Sequence, residues 1–408
     1  MMRDIEKERI SVGNIAFLSF DGNENILGGV QRVTYTLVYG FRKKGIKSYL
    51  IYDRTFEQPA CFFEDKFLYK GTDDNNRLEC FLKEYNISVI INNGVVQSVK
   101  TGSEIRDVLN KCGCKMVSII HSKPDLIKVV PSVESLKYDF KYAKSKVVKL
   151  LSLFKLATFP IYKKYSDRKF ISWRRSVYEN SDRIVVLSKF YIDCFCRMIG
   201  VQSTKVISIS NPHTFEEFCT EEQYEKKQNE VLVVSRLEET TKGLSRVFKA
   251  WSTIEQKFPD VDWRLTIVGS GNDRVFYHNL CKNLGLKKVV FEGYKKPYEY
   301  YKRAKLFIMS SFHEGLPTTM LEAEQMGLAV IAINNFESLG DLALDGVNGY
   351  LIEDSVSTLA ARMEYIMFNP NLCKKFAMAS VENSRLFQTD RIIEQWIQLI
   401  KELENEEL

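Results

Sequence analysis

Long hydrophobic runs are missing from this 408-residue sequence. No stretch approaches the roughly 18 uninterrupted apolar residues that a membrane-crossing helix needs. Met1 to Arg9 are charged throughout and lack the apolar core of a secretory signal, so the expected location is the cytoplasm. Histidine is scarce, with four in all, and the nine cysteines are poorly spaced for metal. Cys112-Gly-Cys114 and Cys194-Phe-Cys196 leave one residue between the thiols, where zinc sites have two to four. No metal ligand set is expected, and the thiols read as buried groups in a reducing compartment. A large charge of one sign is also absent. The net charge of +6 is too weak to imply nucleic acid. What is present, 45% apolar, 27% charged and 12% aromatic residues, is enough for two ordinary domains with cores of their own.

The apolar pattern alternates between short buried runs and helical periods. Asn14 to Ser19 reads as a strand, followed by Gly28-Gly29 and a helix from Val30 to Lys44 that Gly45 ends. The cycle continues with a strand at Lys47–Tyr52, a helix around Leu78–Tyr85 and a strand at Val89–Ile91. A helix near Glu104–Lys111 and a strand at Lys115–Ile120 complete it. A second series begins at Glu230, with strands at Val231–Val234, Leu265–Val268, Val289–Phe291, Leu306–Met309 and Val330–Ile333. Such alternation predicts parallel sheets covered on both faces. The expected fold is α/β, two doubly wound Rossmann-like halves split near residue 212. An amphipathic helix from Thr389 to Leu403 follows, with an acidic tail at Glu402–Glu407.

The strongest chemical signal is Ser310-Ser311-Phe312-His313-Glu314-Gly315-Leu316-Pro317-Thr318-Thr319-Met320-Leu321-Glu322-Ala323, which follows a buried strand and opens a helix. Proline suits a first turn and not a helix interior, so the helix should begin near Thr318 and end by Gly327. Its free N–H groups and the Thr318 and Thr319 hydroxyls form an anion site, reinforced by the helix dipole. Glu314 lies ahead of that site and Glu322 one turn beyond it, a pairing suited to hydroxyl-rich ligands. Val234-Ser235-Arg236-Leu237 and Lys242-Gly243 add two cations beyond a strand end, able to neutralise a diphosphate. Gly28-Gly29, with Gln31-Arg32, and Gly269-Ser270-Gly271 each follow a strand. Both lack the third glycine of a dinucleotide fingerprint, which argues against NAD.

These motifs resemble the signature of the retaining GT-B glycosyltransferases known as family 4, with two glutamates separated by seven residues in Glu-Gly-Leu-Pro…Leu-Glu-Ala. The resemblance implies two facing Rossmann-like domains with a cleft between them. Residues 1–212 would bind the acceptor and 213–388 the nucleotide sugar, and the helix of 389–408 would cross back to the first domain. It implies that Glu314 contacts the donor sugar and Glu322 holds the ribose hydroxyls. Backbone N–H groups from Leu316 to Met320 would bind sugar and phosphate, Pro317 having none to give, and Gly315, Leu316, Pro317, Thr318 and Thr319 would line the donor site. Arg236 and Lys242 would stabilise the leaving diphosphate. Gly28 and Gly29 would approach donor and acceptor, Gly269 and Gly271 would form the glycine turn of the nucleotide half, and Tyr294 would belong to the base-binding loop. His121, placed after strand Lys115–Ile120, matches a histidine that touches sugar or acceptor in many members. Asp345-Gly346-Val347-Asn348-Gly349 fits the pattern, whereas Glu337-Ser338-Leu339-Gly340 departs from it. No metal or other cofactor is implied; a nucleotide diphosphate sugar, a UDP-sugar by expectation, is the co-substrate.

Two further stretches invite a reading. Asp260-Val261-Asp262 looks like a metal-binding Asp-x-Asp, but its place between Pro259 and a strand marks a turn. Lys137–Arg175 carries twelve Lys or Arg against two Asp, interleaved with leucines and aromatics. That composition suits an anionic membrane surface, and also an ordinary solvated helix face. The expected partners are a nucleotide-sugar donor, a lipid-linked or oligosaccharide acceptor and an anionic membrane surface at its cytoplasmic side, and no nucleic acid. The alternatives are a nucleotide-sugar epimerase on the same fold, a glycogen-type synthase extending soluble glucan, and a non-catalytic glycan-binding scaffold.

Overall fold

The computed structural model describes residues 12–18, 28–52, 62–93, 96–128, 131–143 and 145–406. The charged start Met1–Arg9, Ser19 and Glu407 lie outside them. Two parallel sheets organise the chain. The first contains β1 (Asn14–Leu18), β2 (Ser48–Tyr52), β3 (Lys66–Leu68), β4 (Ile87–Asn92), β5 (Lys115–Ile120), β6 (Arg183–Val186) and β7 (Val206–Ser208), in the order β3-β2-β1-β4-β5-β6-β7. The second contains β8 (Glu230–Val234), β9 (Arg264–Val268), β10 (Val289–Gly293), β11 (Leu306–Met309), β12 (Ala329–Ile333) and β13 (Gly349–Ile352), in the order β10-β9-β8-β11-β12-β13.

The central strands are apolar without alternation because helices cover both faces. Ala329-Val330-Ile331-Ala332-Ile333, for example, is buried at every position. In each sheet the strand order reverses once, between β1 and β4 and between β8 and β11. Crossover helices leave in opposite directions at such a point, so a crevice opens beyond the carboxyl ends of those strands. The two crevices face one another.

Helix Gly29–Lys43 packs Val33, Leu37, Val38 and Phe41 onto the first sheet. Gly40 lets the last helix, Thr389–Asn405, cross closely: a Cβ there would run into Ile393. That last helix also reaches the first domain through Glu404, which accepts from the Gly13 N–H (2.8 Å). Ion pairs from Lys44 to Glu394 and from Arg183 to Glu406 add to this contact.

Between β5 and β6 the described residues form three α-helices, Val133–Tyr142, Lys146–Ala157 and Phe159–Glu179. A reciprocal Ser132–Ser135 capping box starts the first. Its Tyr138 and Tyr142 pack against Phe276 of the second domain at ring distances of 5.9 and 5.3 Å. The third turns Arg174 inward, where it stacks on Trp173 and donates to the Ser122 hydroxyl (2.8 Å). The middle helix is arranged the other way. Its buried residue is Ser152, while Val147, Val148, Leu150, Leu151, Leu153 and Phe154 face outward. No helix among the described residues is long and apolar enough to cross a membrane.

Candidate active site

A cavity of about 650 Å³ lies where the two crevices meet. Its walls come from loops that leave the carboxyl ends of both sheets. Gly28, Gly29 and Arg32 follow β1, His121 follows β5, and Asn211 follows β7. Ser235, Arg236 and Lys242 follow β8, Gly269 and Ser270 follow β9, and Tyr294, Lys295 and Lys296 follow β10. The loop after β11 supplies Ser310, Ser311, Glu314, Gly315, Leu316, Pro317, Thr318 and Thr319.

Two helix N-termini converge on this cavity. Helix Gly29–Lys43 begins at Gly28 and helix Thr318–Gln325 at Pro317, and neither has a side-chain cap. In the second, the first intrahelical bond runs from Met320 N–H to the Pro317 carbonyl (3.1 Å). The N–H groups of Thr318 and Thr319 therefore precede the ladder. The two starts are close: a Cβ on Gly29 would sit 3.7 Å from the Thr318 hydroxyl. Two positive dipole ends and several cations around one space make an anion site contributed by both domains.

Lys242 is placed by the short helix Glu239–Lys242, which Gly243 stops in a left-handed conformation (φ +57°). Its ammonium pairs with the Glu314 carboxylate, which also accepts from the Ser311 hydroxyl (2.8 Å). Arg236 is more exposed and pairs with Glu238 (2.9 Å). His121 lies 3.4 Å from the Asn93 side-chain oxygen, and burial pushes its imidazole down to about 4, so it is neutral at pH 7. Gly315 is required by contact across the domains, since a Cβ would overlap the His121 carbonyl. Around it, the Tyr191 hydroxyl donates to the Glu314 carbonyl (2.9 Å), the Asn211 amide to the Leu316 carbonyl (3.3 Å), and Lys123 pairs with Glu337 (2.7 Å). The atypical stretch Glu337–Gly340 thus lies in the domain interface.

Two expected residues fall elsewhere. Gly271 packs against the Leu237 backbone and is not in the cavity wall. Glu322 is 1% exposed and does not line the cavity either. Four residues beyond Thr318, it lies one turn down, on the side of the helix that faces protein. There it accepts from Arg32 (2.6 Å), the Thr214 hydroxyl (2.5 Å) and the Tyr301 hydroxyl (2.9 Å). Burial raises its pKa, and Arg32, Thr214 and Tyr301 pull it back. Arg32, Lys295 and Lys296 are cavity residues that the motifs did not assign; the Gln31-Arg32 pair beside the glycine loop was the available signal. Asp260 and Asp262 lie in a turn before β9, at the end opposite the cavity.

Residues 215–382 match the family described as Glycosyl transferases group 1. The chain is 25% identical over 224 residues to an amylovoran biosynthesis glycosyltransferase of Erwinia amylovora, covering 54% of this chain and 62% of that protein. It is also 25% identical over 236 residues to a Campylobacter jejuni alpha-1,4-N-acetyl-D-galactosaminyltransferase whose name gives a PP-undecaprenol-linked saccharide. That match covers 57% of this chain and 63% of the relative. The chain thus matches less than two thirds of either relative's length. Among solved structures, Anabaena HepE in complex with UDP and glucose superposes with a TM-score of 0.68 over 96% of this chain and 100% of that one, at 14% identity. The fold is the GT-B arrangement of two Rossmann-like domains.

Proposed function

We propose that this chain is a glycosyltransferase that moves a hexose or N-acetylhexosamine from a UDP-sugar to a lipid-linked or glycan acceptor, in the building of a cell-surface polysaccharide. The observation that carries the reading is the cavity itself, in which a helix N-terminus, Arg236, Lys242 and Glu314 meet at the carboxyl ends of two parallel sheets. The match of residues 215–382 and the two relatives named above support the reaction class. In this reading the diphosphate lies at Thr318 and Thr319, with Arg236 and Lys242 neutralising the charge that develops as the glycosidic bond breaks. The protein's cations then do the work that other enzymes give to a metal. Glu314 meets the sugar hydroxyls, and Tyr294 lies on the base side. The acceptor hydroxyl enters from the first domain, near His121, on the face the leaving group vacates, so configuration is retained. Approach of the two domains excludes water, which limits hydrolysis of the donor.

The test is calorimetric titration with UDP and GDP in EDTA, on the wild type and on Lys242→Ala. Tight UDP binding that Lys242→Ala weakens is the expected result. A wild type that binds neither nucleotide sinks the reading and leaves the glycan-binding scaffold in its place.

The proposal extends to where the enzyme works. Helix Lys146–Ala157 presents Leu150 (69% exposed) and Phe154 (65% exposed) to solvent, together with Lys146. An apolar face bordered by cations fits an anionic lipid leaflet, which is where a lipid-linked acceptor would lie.

A further inference from the structure

We propose that Arg32 is a diphosphate-binding residue supplied by the first domain, held in position by Glu322 of the second. The inference rests on the donor reading above and assigns one more residue to it. Glu322 would act as its anchor, so the ligand at this end of the cavity meets a guanidinium before it meets a carboxylate.

The geometry is specific. Arg32 lines the cavity and keeps 23% of its side chain exposed, whereas the Glu322 side chain behind it is 1% exposed. One guanidinium nitrogen, Nη1, lies 2.6 Å from Glu322 Oε1, and the other, Nη2, lies 3.5 Å from the Thr318 hydroxyl. Thr318 is the first residue of the helix whose uncapped N-terminus faces the cavity. The fork therefore spends one arm on the anchor and extends the other to the anion site. A guanidinium has five donors, so bonds remain for phosphate oxygens. Glu322 is further fixed by Thr214 from the linker and Tyr301 from helix Tyr298–Arg303, which leaves it one orientation in which to hold Arg32.

The position on the chain adds a consequence. Arg32 is in the first turn of helix Gly29–Lys43, in the first domain, while Arg236, Lys242 and Thr318 belong to the second. Two positive helix ends and three cations, each cation already paired with one carboxylate, border the same cavity. A diphosphate bound among them would tie the domains together. A nucleoside without phosphate would lack this link and would be indifferent to Arg32.

The experiment measures affinity for uridine and UDP, in EDTA, for the wild type, Arg32→Met, Arg32→Lys and the double variant Arg32→Met/Glu322→Gln. Calorimetry serves for UDP and saturation-transfer NMR for uridine. The double variant removes the ion pair without leaving a buried unpaired carboxylate, so it keeps the test usable if Arg32→Met folds poorly. Arg32→Met is expected to weaken UDP binding about 10- to 100-fold, the effect of one charge-assisted bond, and to leave uridine within about twofold. Arg32→Lys should recover part of the loss, and the double variant should match Arg32→Met on UDP. Unchanged UDP affinity in the double variant, or equal losses on uridine and UDP, overturns the assignment. If the wild type itself fails to bind UDP, the donor reading falls and this inference with it; normal wild-type binding with indifferent variants sinks this inference alone.

Discussion

Gly315→Ala isolates the contact that joins the two halves of the site. Gly315 is not among the glycines in left-handed backbone, so its φ and ψ admit alanine and any penalty is steric. The added Cβ would overlap the His121 carbonyl carbon and oxygen, and would come within 3.2 Å of a Leu187 methyl. Backbone atoms at the end of β5 cannot turn aside as a flexible side chain would. Overpacking of this kind costs about 1–3 kcal/mol when it is absorbed in place. The other way to relieve it is to part the domains by about an ångström, and a displacement of that size at reacting groups can cost about 100-fold in rate. The control is Gly271→Ala, which makes a similar backbone clash with Leu237 but wholly within the second domain. Thermal melting, small-angle scattering and turnover of donor would be measured on both variants. Both should melt earlier, whereas Gly315→Ala alone should lose turnover by tens-fold or more and show an enlarged radius. A Gly315→Ala protein with wild-type turnover and melting would refute the idea that this glycine sets the approach of the domains.

Other perturbations have expected outcomes of their own. Lys242→Ala should lower kcat/KM by about 100- to 1,000-fold, the usual effect of losing one donor to a developing charge; an effect below threefold would remove Lys242 from the proposed chemistry. Leu150→Glu with Phe154→Glu should change the unfolding free energy by no more than about 0.5 kcal/mol, because both side chains are exposed. Sedimentation with phosphatidylglycerol vesicles should nonetheless fall at least about tenfold, and undiminished sedimentation would argue against this face as the membrane contact. Burial pushes His213, 2% exposed, from 6.5 down to about 4, and His121 down to about 4 as well. Both stay neutral when folded and take up protons when unfolded, so stability is full above pH 6.5 and declines as pH falls toward 4. His213→Phe should remove about 1 kcal/mol per pH unit from that slope in urea unfolding between pH 6 and 5, and an unaltered slope would show that His213 protonates in the folded chain.

Much of this molecule was legible from the chain alone. Buried parallel strands are apolar along most of their length, so Lys115–Ile120 and Leu306–Met309 coincide with β5 and β11 as observed. Pro317 and Gly327 mark a helix start and stop by their own backbone limits, and the helix runs Thr318–Gln325 with Gly327 at φ +65°. The short strands β3 and β7, three residues each, offer no period to read. The loop residues Gly28, Gly29, Arg236, Lys242, Gly269 and Glu314 could be named beforehand because a turn beyond a strand end is a local property. It brings a residue to the sheet edge where the crevice opens, although Gly271, in the same turn as Gly269, packs on Leu237 instead.

Tertiary structure alone decided what those residues meet. Arg32 and Glu322 are 290 residues apart in sequence, and no local pattern links them. Spacing put Glu322 one turn beyond the anion site but could not say whether that turn faced ligand or protein, since this depends on where Tyr301, Thr214 and Arg32 arrive. In the same way, composition could describe helix Lys146–Ala157 as basic and apolar, while only its packing determined that Ser152 turns inward and the leucines outward. Local sequence sets what each element is able to bury. Which surfaces remain uncovered, and which charges converge, follows from how distant elements pack.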